Sequence, residues 1–203
     1  MSLSPGGKPI EDTEKLFRDS GAYLEGHFLL TSGRHSPVYW EKFRILEHPE
    51  ITQRLCSRIA AHFRGKALEL VAGPTTGGII LAHEVARQLG VGAIFAEKEG
   101  EGRTFRRGLQ VNPGQRVLVV DDVLTTGKSV KEVIEAVKKE DGEVIGVAVL
   151  VDRSEGNMDF GVPLFACFRT PETPTYSAAE CPLCASGIPL VKPGSSRQPM
   201  ASD

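Results

Sequence analysis

The sequence predicts an α/β protein built on a parallel sheet with helices on both faces. Short runs that are apolar throughout alternate with helical stretches from residue 68 onward, a pattern typical of strands buried on both sides. Three of these runs end in turns rich in glycine, hydroxyl or charged residues. Because ligands of such sheets bind beyond the carboxyl ends of the strands, we expect one site made from those three turns.

The N-terminal part of the chain is predicted to hold a helix, two short strands and a second helix. The apolar spacing indicates the first helix over residues 10–20. Strand-like runs at 28–30 and 38–40 enclose a polar, turn-rich stretch. The second helix, over 49–63, carries a proline at its start, where the missing N–H costs nothing.

Strands and helices then alternate as far as residue 168. The polar stretch over residues 97–112 has little to bury. The tail from Thr170 is rich in proline and is expected to be irregular, and disordered from about Gly194. Helices are predicted over 79–89, which Gly90 ends as a C-cap, and over 127–140. Strands are predicted at 68–72, 92–96, 116–120, 143–151 and 162–168.

Composition and charge narrow the class of protein. A chain of 203 residues predicts one domain with attachments. The formal net charge of −2 gives no support to a nucleic-acid reader that works by bulk charge. There is no apolar run near the ~20 residues of a membrane span and no pattern typical of a secretory signal. Four cysteines in this length do not make a disulfide scaffold, so a cytoplasmic protein is expected.

The strongest chemical signal is a strand that ends in two acids and a hydroxyl-rich turn. Residues 117–129 read Val-Leu-Val-Val-Asp-Asp-Val-Leu-Thr-Thr-Gly-Lys-Ser. A helix N-terminus offers unpaired N–H groups and partial positive charge to a phosphate, and the threonines and serine add hydroxyl donors. The carboxylates of Asp121 and Asp122 suit hydroxyl groups on the same ligand. The pattern therefore predicts a site for a ribose 5-phosphate.

This turn differs from a P-loop in one decisive position. Residues 122–129 end in Gly-Lys-Ser as a P-loop does, but Asp122 stands where the first glycine of that motif belongs. An acid there points negative charge at the phosphates that a P-loop cradles. We therefore do not interpret the segment as a nucleotide-binding P-loop.

Residues 117–129 resemble the phosphoribosyl pyrophosphate signature of the type I phosphoribosyltransferases. Residues 26–39 are similar to the N-terminal hood of the orotate phosphoribosyltransferases, and residues 73–78, Gly-Pro-Thr-Thr-Gly-Gly, to their pyrophosphate loop. The likeness implies a single type I phosphoribosyltransferase domain over residues 1–203. Its implied parts are a small hood at about 20–46, a core at about 49–168, a mobile lid loop at 97–112 and an irregular tail at 170–203.

The resemblance implies transfer of a phosphoribosyl group from phosphoribosyl pyrophosphate to orotate with Mg²⁺, held mainly by the substrate. It implies a homodimer that acts on small molecules, with no nucleic-acid or membrane partner. Ribose-binding acids are implied at Asp121 and Asp122, and a catalytic lysine at Lys98. The substrate-binding residues that it implies are Thr75, Thr76, Gly77, Leu124, Thr125, Thr126, Gly127, Lys128, Ser129, the orotate-binding Arg153, and the aromatic pair Tyr39 and Trp40.

Several basic residues of the family pattern are missing from this chain. Thr31 and Gly77 stand where family members carry lysines, and the loop after Lys98 lacks a second lysine and a histidine. In the family pattern these groups contact the pyrophosphate, so other cations are needed to bind it in this chain. We hypothesise that three arginines just downstream replace them: Arg103, Arg106 and Arg107.

Plainer structural roles stay open for some of these residues. Tyr39 and Trp40 would also suit a core, and the three arginines a solvated loop. Asp152 and Arg153 together suit a salt bridge at a strand end. Two alternative functions also stay open: transfer to another base, and a non-catalytic sensor of phosphoribosyl pyrophosphate. The acidic charge and the lack of an added DNA-binding segment disfavour the sensor.

The segment Cys181-Pro-Leu-Cys184 has the spacing of a zinc knuckle but supplies only one pair of ligands. Cys167 as a third ligand, or pairs pooled by two chains, would extend the set, and a redox role is an alternative. The five histidines are scattered and show no metal-ligand spacing, although His35 lies in the hood turn. The favoured interpretation is two thiols in an irregular C-terminal cover.

Overall fold

The computed structural model describes residues 10–30, 32–41, 43–154, 158–170 and 173–193, and only the backbone of residues 10–12. These residues form a six-stranded sheet, a separate two-stranded hairpin and the helices that cover them. The strands are β1 (Tyr23–Leu29), β2 (His35–Trp40), β3 (Leu70–Pro74), β4 (Gly92–Glu99), β5 (Gly102–Phe105), β6 (Arg116–Leu124), β7 (Glu143–Asp152) and β8 (Leu164–Arg169). The helices are α1 (Ile10–Asp19), α2 (Phe43–Leu46), α3 (Pro49–Phe63), α4 (Gly77–Leu89), α5 (Lys128–Lys139) and α6 (Pro182–Ala185).

The large sheet has the strand order β5-β4-β3-β6-β7-β8 and is parallel except for the edge strand β5. From β3 the chain moves outward to β4, and from β6 it moves the other way to β7 and β8. The order therefore reverses between β3 and β6, where a parallel α/β sheet leaves a crevice at its carboxyl edge. This arrangement confirms the predicted fold class.

Alternate side chains of the central strand face two different helical layers. Leu118 and Val120 belong to the cluster formed with α1, α3 and α4. Val117 and Val119 belong to the cluster on the opposite face, which is formed with α5. All four side chains are buried, because successive residues of a strand point to opposite faces and both faces are covered. Burial on both faces explains why this strand is apolar at every position from 117 to 120.

The predicted elements are present, and their ends differ where backbone pairing continues past a change of side-chain chemistry. The helix expected over 49–63 is α3, with the same bounds. Strand β6 was expected to stop at residue 120, but it continues through both acids to Leu124. The extension follows from its pairing with β7, in which Asp121 lies opposite Val149 and Leu124 opposite Asp152.

The prediction of a loop over residues 97–112 is wrong for its first part. Strand β4 runs on to Glu99, and β5 pairs with it in an antiparallel hairpin. Lys98 lies opposite Arg103 in this hairpin. These two cations do not pair with each other, because both contact Glu132 of α5. The acids Glu97 and Glu99 of β4 pair with Arg107 and Arg106, just after β5. Within this stretch, the turn at residues 100–101 and residues 106–112 lack strand structure.

The C-terminal segment is fastened to the hairpin of β1 and β2, called the N-terminal hairpin below. Val191 pairs with Phe28 of β1, and Tyr176 pairs with His35 of β2. A short 3₁₀ turn at Ala178–Glu180 and helix α6 lie between these two contacts. The irregular tail expected from residue 170 is thus ordered by backbone pairing, whereas the disorder expected from about Gly194 lies outside the described residues. Within the described ranges, no helix is long and apolar enough to cross a membrane.

Candidate active site

The carboxyl ends of β3, β6 and β7 lie side by side, so the three predicted turns meet at one edge of the sheet. The backbone N–H of Arg153, just after β7, donates to the carbonyl of Leu124 at the end of β6 over 2.8 Å. The backbone N–H of Thr75, just after β3, donates to the carbonyl of Ala96 on β4 over 3.1 Å. These bonds hold the turns in register around the crevice.

The two acids at the end of β6 are both buried, and each is oriented by backbone donors. Asp121 accepts from the N–H of Asp122 over 2.8 Å, and Asp122 accepts from the N–H of Val123 over 2.7 Å. The second carboxylate oxygen of Asp121 accepts from the Ser129 hydroxyl over 2.6 Å. A bond this short is typical of a hydroxyl that donates to an ionised carboxylate. The acids are therefore fixed in position relative to the first turn of α5.

The hydroxyl-rich turn before α5 is open to solvent. Thr125, Thr126 and Lys128 are exposed, and Gly127 takes the left-handed conformation with φ 72°. The Thr126 hydroxyl oxygen accepts weakly from the N–H of Lys128, at 3.4 Å. The turn thus exposes the start of a twelve-residue helix, where unpaired N–H groups bind anions.

Two residues of this predicted loop have side chains engaged elsewhere. The side chain of Leu124 is buried in the core, and its carbonyl accepts from Arg153. Ser129 was expected to donate its hydroxyl to a phosphate, but in this structure it donates to Asp121. The donors left facing outward are those of the exposed turn itself.

The glycine turn at residues 73–78 comes into close contact with the acids. A Cβ placed on Gly77 would lie 1.9 Å from Oδ2 of Asp122, and one on Gly73 would lie 2.3 Å from the carbonyl oxygen of Gly78. No side chain fits at either position without displacing these atoms. The peptide bond between Thr75 and Thr76 is cis. A lysine at position 77 would therefore require Asp122 or the glycine turn to move.

Arg103 joins the β4–β5 hairpin to the glycine turn. Its Nη1 donates to the Thr75 hydroxyl and to the Ala96 carbonyl, each over 3.1 Å. Its Nε lies 3.2 Å from Oε2 of Glu132 on α5, in an ion pair whose side chains are only 12% and 11% exposed. Lys98 contacts the other oxygen of Glu132 over 2.8 Å. The predicted catalytic lysine is thus held in a charge cluster beside the crevice.

Arg106 and Arg107 behave differently from Arg103. Arg106 pairs with Glu99, and Arg107 pairs with Glu97 over 3.0 Å. These hydrogen bonds raise the pKa of both guanidinium groups. Both side chains are largely exposed, and surface pairs of this kind contribute little to stability. Of the three arginines hypothesised to replace the missing cations, Arg103 is the one that contacts the glycine turn.

Replacing Arg103 with alanine is expected to lower kcat/KM for phosphoribosyl pyrophosphate, the substrate that the sequence resemblance implies, by about tenfold or more, because Thr75 loses the group that positions it. Steady-state kinetics measure the change. Arg87→Ala is the control, since its side chain is 54% exposed and pairs with Glu84 at the surface of α4. Equal losses in the two variants, or none in Arg103→Ala, would contradict a special role for Arg103.

Arg153 and Tyr39 lie at the third side of the crevice. Burial lowers the pKa of the Arg153 guanidinium, and the nearby Tyr39 acts in the opposite direction. Among the described residues no carboxylate forms an ion pair with Arg153, because the adjacent Asp152 pairs with Arg169 over 3.3 Å. The strand-end salt bridge that the sequence left open is present at Asp152, with Arg169 as its partner, and does not involve Arg153. A half-buried guanidinium without a protein anion suits an anionic ligand.

Trp40 does not share the position of Tyr39. Its ring is buried against Phe17, Tyr23 and Phe168, with centroid distances of 5.3, 5.0 and 5.6 Å. Successive residues of β2 point to opposite sides, so only one of the aromatic pair faces the crevice. The implied contact between Trp40 and a base is corrected to a role in the core.

The sequence analysis missed Glu132, which holds both Lys98 and Arg103. A signal for it exists, because Glu132 lies three residues after Ser129 and shares its helix face. A cleft of about 440 Å³ between α5 and the β4–β5 hairpin is lined by Arg103, Glu132 and Thr126 among others. The charge cluster therefore borders solvent next to the exposed turn.

Comparisons with known proteins identify the same segments. A family model described as the phosphoribosyl transferase domain matches residues 44–160, which include all three strands that end at the crevice. The orotate phosphoribosyltransferase of Pelotomaculum thermopropionicum is 52% identical over 180 residues, which are 89% of this chain and 94% of that protein. That of Carboxydothermus hydrogenoformans is 49% identical over 186 residues, 91% of this chain and 97% of that protein.

Solved structures agree with these matches. The orotate phosphoribosyltransferase from Aeropyrum pernix has a TM-score of 0.64 and 31% identity, covering 76% of this chain and 92% of that one. The enzyme of the same name from Mycobacterium tuberculosis has a TM-score of 0.66 and 27% identity, covering 79% and 97%.

Proposed function

Because this chain belongs to the orotate phosphoribosyltransferase family, we propose that it transfers the 5-phosphoribosyl group from phosphoribosyl pyrophosphate to orotate. The bond between the anomeric carbon and the pyrophosphate oxygen breaks, and its electron pair leaves with pyrophosphate. A ring nitrogen of orotate forms the new bond to that carbon and releases its proton to solvent. The products are orotidine 5-phosphate and pyrophosphate, and the reaction belongs to pyrimidine biosynthesis.

The environment of Arg153 is the observation that supports orotate as the base. Its guanidinium is half-buried beside Tyr39, next to the acids of β6, and pairs with no carboxylate of the described residues. Orotate differs from the neutral nucleobases in carrying a carboxylate. A planar guanidinium binds a carboxylate with two parallel hydrogen bonds, and an aromatic ring packs against a flat pyrimidine. The site therefore favours orotate over an uncharged base.

The remaining parts of the crevice suit the sugar phosphate. The carboxylates of Asp121 and Asp122 accept hydrogen bonds from the ribose hydroxyls, and the exposed turn at residues 125–128 takes the 5-phosphate at the start of α5. The glycine turn at residues 73–78 approaches the pyrophosphate with its backbone, and Arg103 positions Thr75 within that turn. Fixed donors stabilise the charge that develops on the leaving group.

The donor set at the acids fits Mg²⁺ that is held mainly by the substrate. Two carboxylates lie there, and the one cluster of three or more potential metal ligands among the described residues lies elsewhere. Mg²⁺ is usually bound by one or two carboxylates together with substrate phosphates. When bound, it neutralises charge on the departing pyrophosphate. Asp121 and Asp122 would hold it through the ribose hydroxyls or water.

The lid and the oligomeric state are parts of the same proposal. Residues 106–112, with the tip of the β4–β5 hairpin, act as the lid that excludes water from the reacting carbon. The proposed protein is a cytoplasmic homodimer. Exposed Phe43 and Ile80, with a cleft of about 370 Å³ lined in part by Leu46, offer an apolar face to a second copy. Analytical ultracentrifugation tests this, and a monomer at micromolar concentration would contradict it.

A panel of bases tests the proposed reaction. The protein, Mg²⁺ and phosphoribosyl pyrophosphate are mixed separately with orotate, uracil, adenine, guanine and hypoxanthine, and base consumption is followed by absorbance. We expect turnover with orotate and at most trace turnover with the others. Turnover with a different base would overturn the choice of orotate. Tight binding of phosphoribosyl pyrophosphate without turnover of any base would favour a sensor.

A further inference from the structure

Four potential metal ligands converge where the C-terminal segment meets the N-terminal hairpin. His27 lies on β1, His35 begins β2, and Cys181 and Cys184 flank the start of α6. One ligand atom from each lies within 4.8 Å of all the others. Sequence spacing singles out only the two cysteines as a pair, because the histidines lie some 150 residues earlier in the chain. The five histidines show no metal-ligand spacing along the sequence, and the fold brings two of them to the cysteines.

The separations between these atoms match the edges of a tetrahedral zinc site. Nε2 of His27 and Nδ1 of His35 lie 2.9 Å apart. Sγ of Cys184 lies 3.3 Å from Nδ1 of His35 and 3.7 Å from Nε2 of His27, and Sγ of Cys181 lies 3.5 Å from the latter. Bonds of ~2.3 Å to sulfur and ~2.0 Å to nitrogen require tetrahedral edges of about 3.3–3.8 Å. Shifts of a few tenths of an ångström complete that geometry.

The ring of His27 is oriented as a metal ligand requires. Its Nδ1–H donates to the carbonyl of Ile188 over 2.7 Å, which leaves the lone pair of Nε2 pointing into the cluster. Backbone carbonyls commonly fix metal-bound histidines in this way. The side chains of His27 and Cys181 are only 2% and 4% exposed, and His35 is also buried. Burial of polar groups costs free energy unless they are paired, and a single ion would pair all four ligand atoms at once.

We propose that His27, His35, Cys181 and Cys184 bind one Zn²⁺ in a closed structural site. Two imidazoles and two thiolates fill all four positions of the ion, which leaves none for a substrate. Both thiols lose their protons to solvent when the ion binds. Cys167 does not belong to the set, because its Sγ donates to the Leu55 carbonyl over 3.5 Å and burial raises its pKa to about 12.

The site fastens the C-terminal segment to the N-terminal hairpin. Val191 and Tyr176 pair with this hairpin on either side of α6, and Arg34 donates to the Thr175 carbonyl over 2.5 Å. These contacts are few, and α6 is a single turn without a buried side chain. The bound ion would cross-link the C-terminal segment to the N-terminal hairpin, where few other contacts hold it. It also steadies β2, which carries Tyr39 four residues after His35.

Metal analysis and cobalt substitution test the proposal. Full-length protein purified without chelators is expected to contain about one zinc ion per chain, as measured by elemental mass spectrometry. Protein reconstituted with Co²⁺ is expected to show the intense visible bands of a tetrahedral ion and a thiolate charge-transfer band. Removing zinc with a chelator selective for zinc over magnesium is expected to lower Tm by about 5 °C or more.

Cys184→Ser is the diagnostic variant, because the residue is exposed and its loss costs little packing. We expect it to lose most of the bound zinc and the cobalt charge-transfer band, whereas Cys167→Ser keeps both. Wild-type protein without zinc that also fails to bind Co²⁺ tetrahedrally would overturn the proposal, as would a Cys181–Cys184 disulfide in freshly purified protein. Full zinc content in Cys184→Ser would do the same. These readouts do not depend on the base that the enzyme uses.

Discussion

Gly77→Ala is expected to lower kcat/KM for phosphoribosyl pyrophosphate by about 100-fold. The added Cβ would lie 1.9 Å from Oδ2 and 2.9 Å from Cγ of Asp122, so the carboxylate or the glycine turn has to move. Asp122 is buried and accepts a hydrogen bond from the backbone N–H of Val123, which leaves it little room. A displacement of about 1 Å in a positioning group costs a rate factor of this size.

Steady-state kinetics and circular dichroism together measure this effect. Gly92→Ala is the control, because Gly92 begins β4 at the end of the sheet away from the crevice and its Cβ comes closest to the end of the flexible Leu70 side chain, at 3.0 Å. We expect the control to keep kcat/KM within about twofold of the wild type. A Gly77→Ala enzyme that folds normally and retains full activity would show that the contact between the glycine turn and Asp122 does not matter for binding.

Arg153→Ala is expected to raise KM for orotate by about 10- to 100-fold and to leave KM for phosphoribosyl pyrophosphate nearly unchanged. Burial lowers the pKa of this guanidinium, and no carboxylate of the described residues offsets the cost. A hydrogen bond between charged partners contributes about 1.5–3 kcal/mol, and every 1.4 kcal/mol is about tenfold in affinity. Arg153→Lys should recover part of the loss, since it keeps the charge without the planar fork.

Initial rates at varied orotate and varied phosphoribosyl pyrophosphate separate the two Michaelis constants. Arg87→Ala serves as the control, because Arg87 is exposed on α4 and pairs with Glu84 at the surface. It should leave both constants unchanged. An equal rise of both constants in Arg153→Ala would mean that the residue supports the crevice as a whole and does not recognise the base.

The steric constraint at position 77 is visible in the structure and not in the sequence. The resemblance implies that a glycine stands where the family pattern has a lysine, and the sequence alone suggests the loss of a cation there. The structure shows that Asp122 occupies the space that any side chain at position 77 would need. Arg103 enters the same region from the neighbouring hairpin. The hypothesis that Arg103 replaces the missing cation therefore joins two positions that are close in space and 26 residues apart in the chain.

The parallel sheet, the strand that ends in two acids and the turn before α5 were all determined by the sequence itself. These features are local, because residues that are neighbours in the chain determine strand burial, helix starts and turn conformation. Only the tertiary structure decided that Trp40 packs in the core while Tyr39 faces Arg153, and that Arg103 but not Arg106 reaches the glycine turn. It alone brought His27 and His35 to Cys181 and Cys184. Such contacts join residues far apart in the chain, and their partners are set by how sheet and tail pack, which no local pattern encodes.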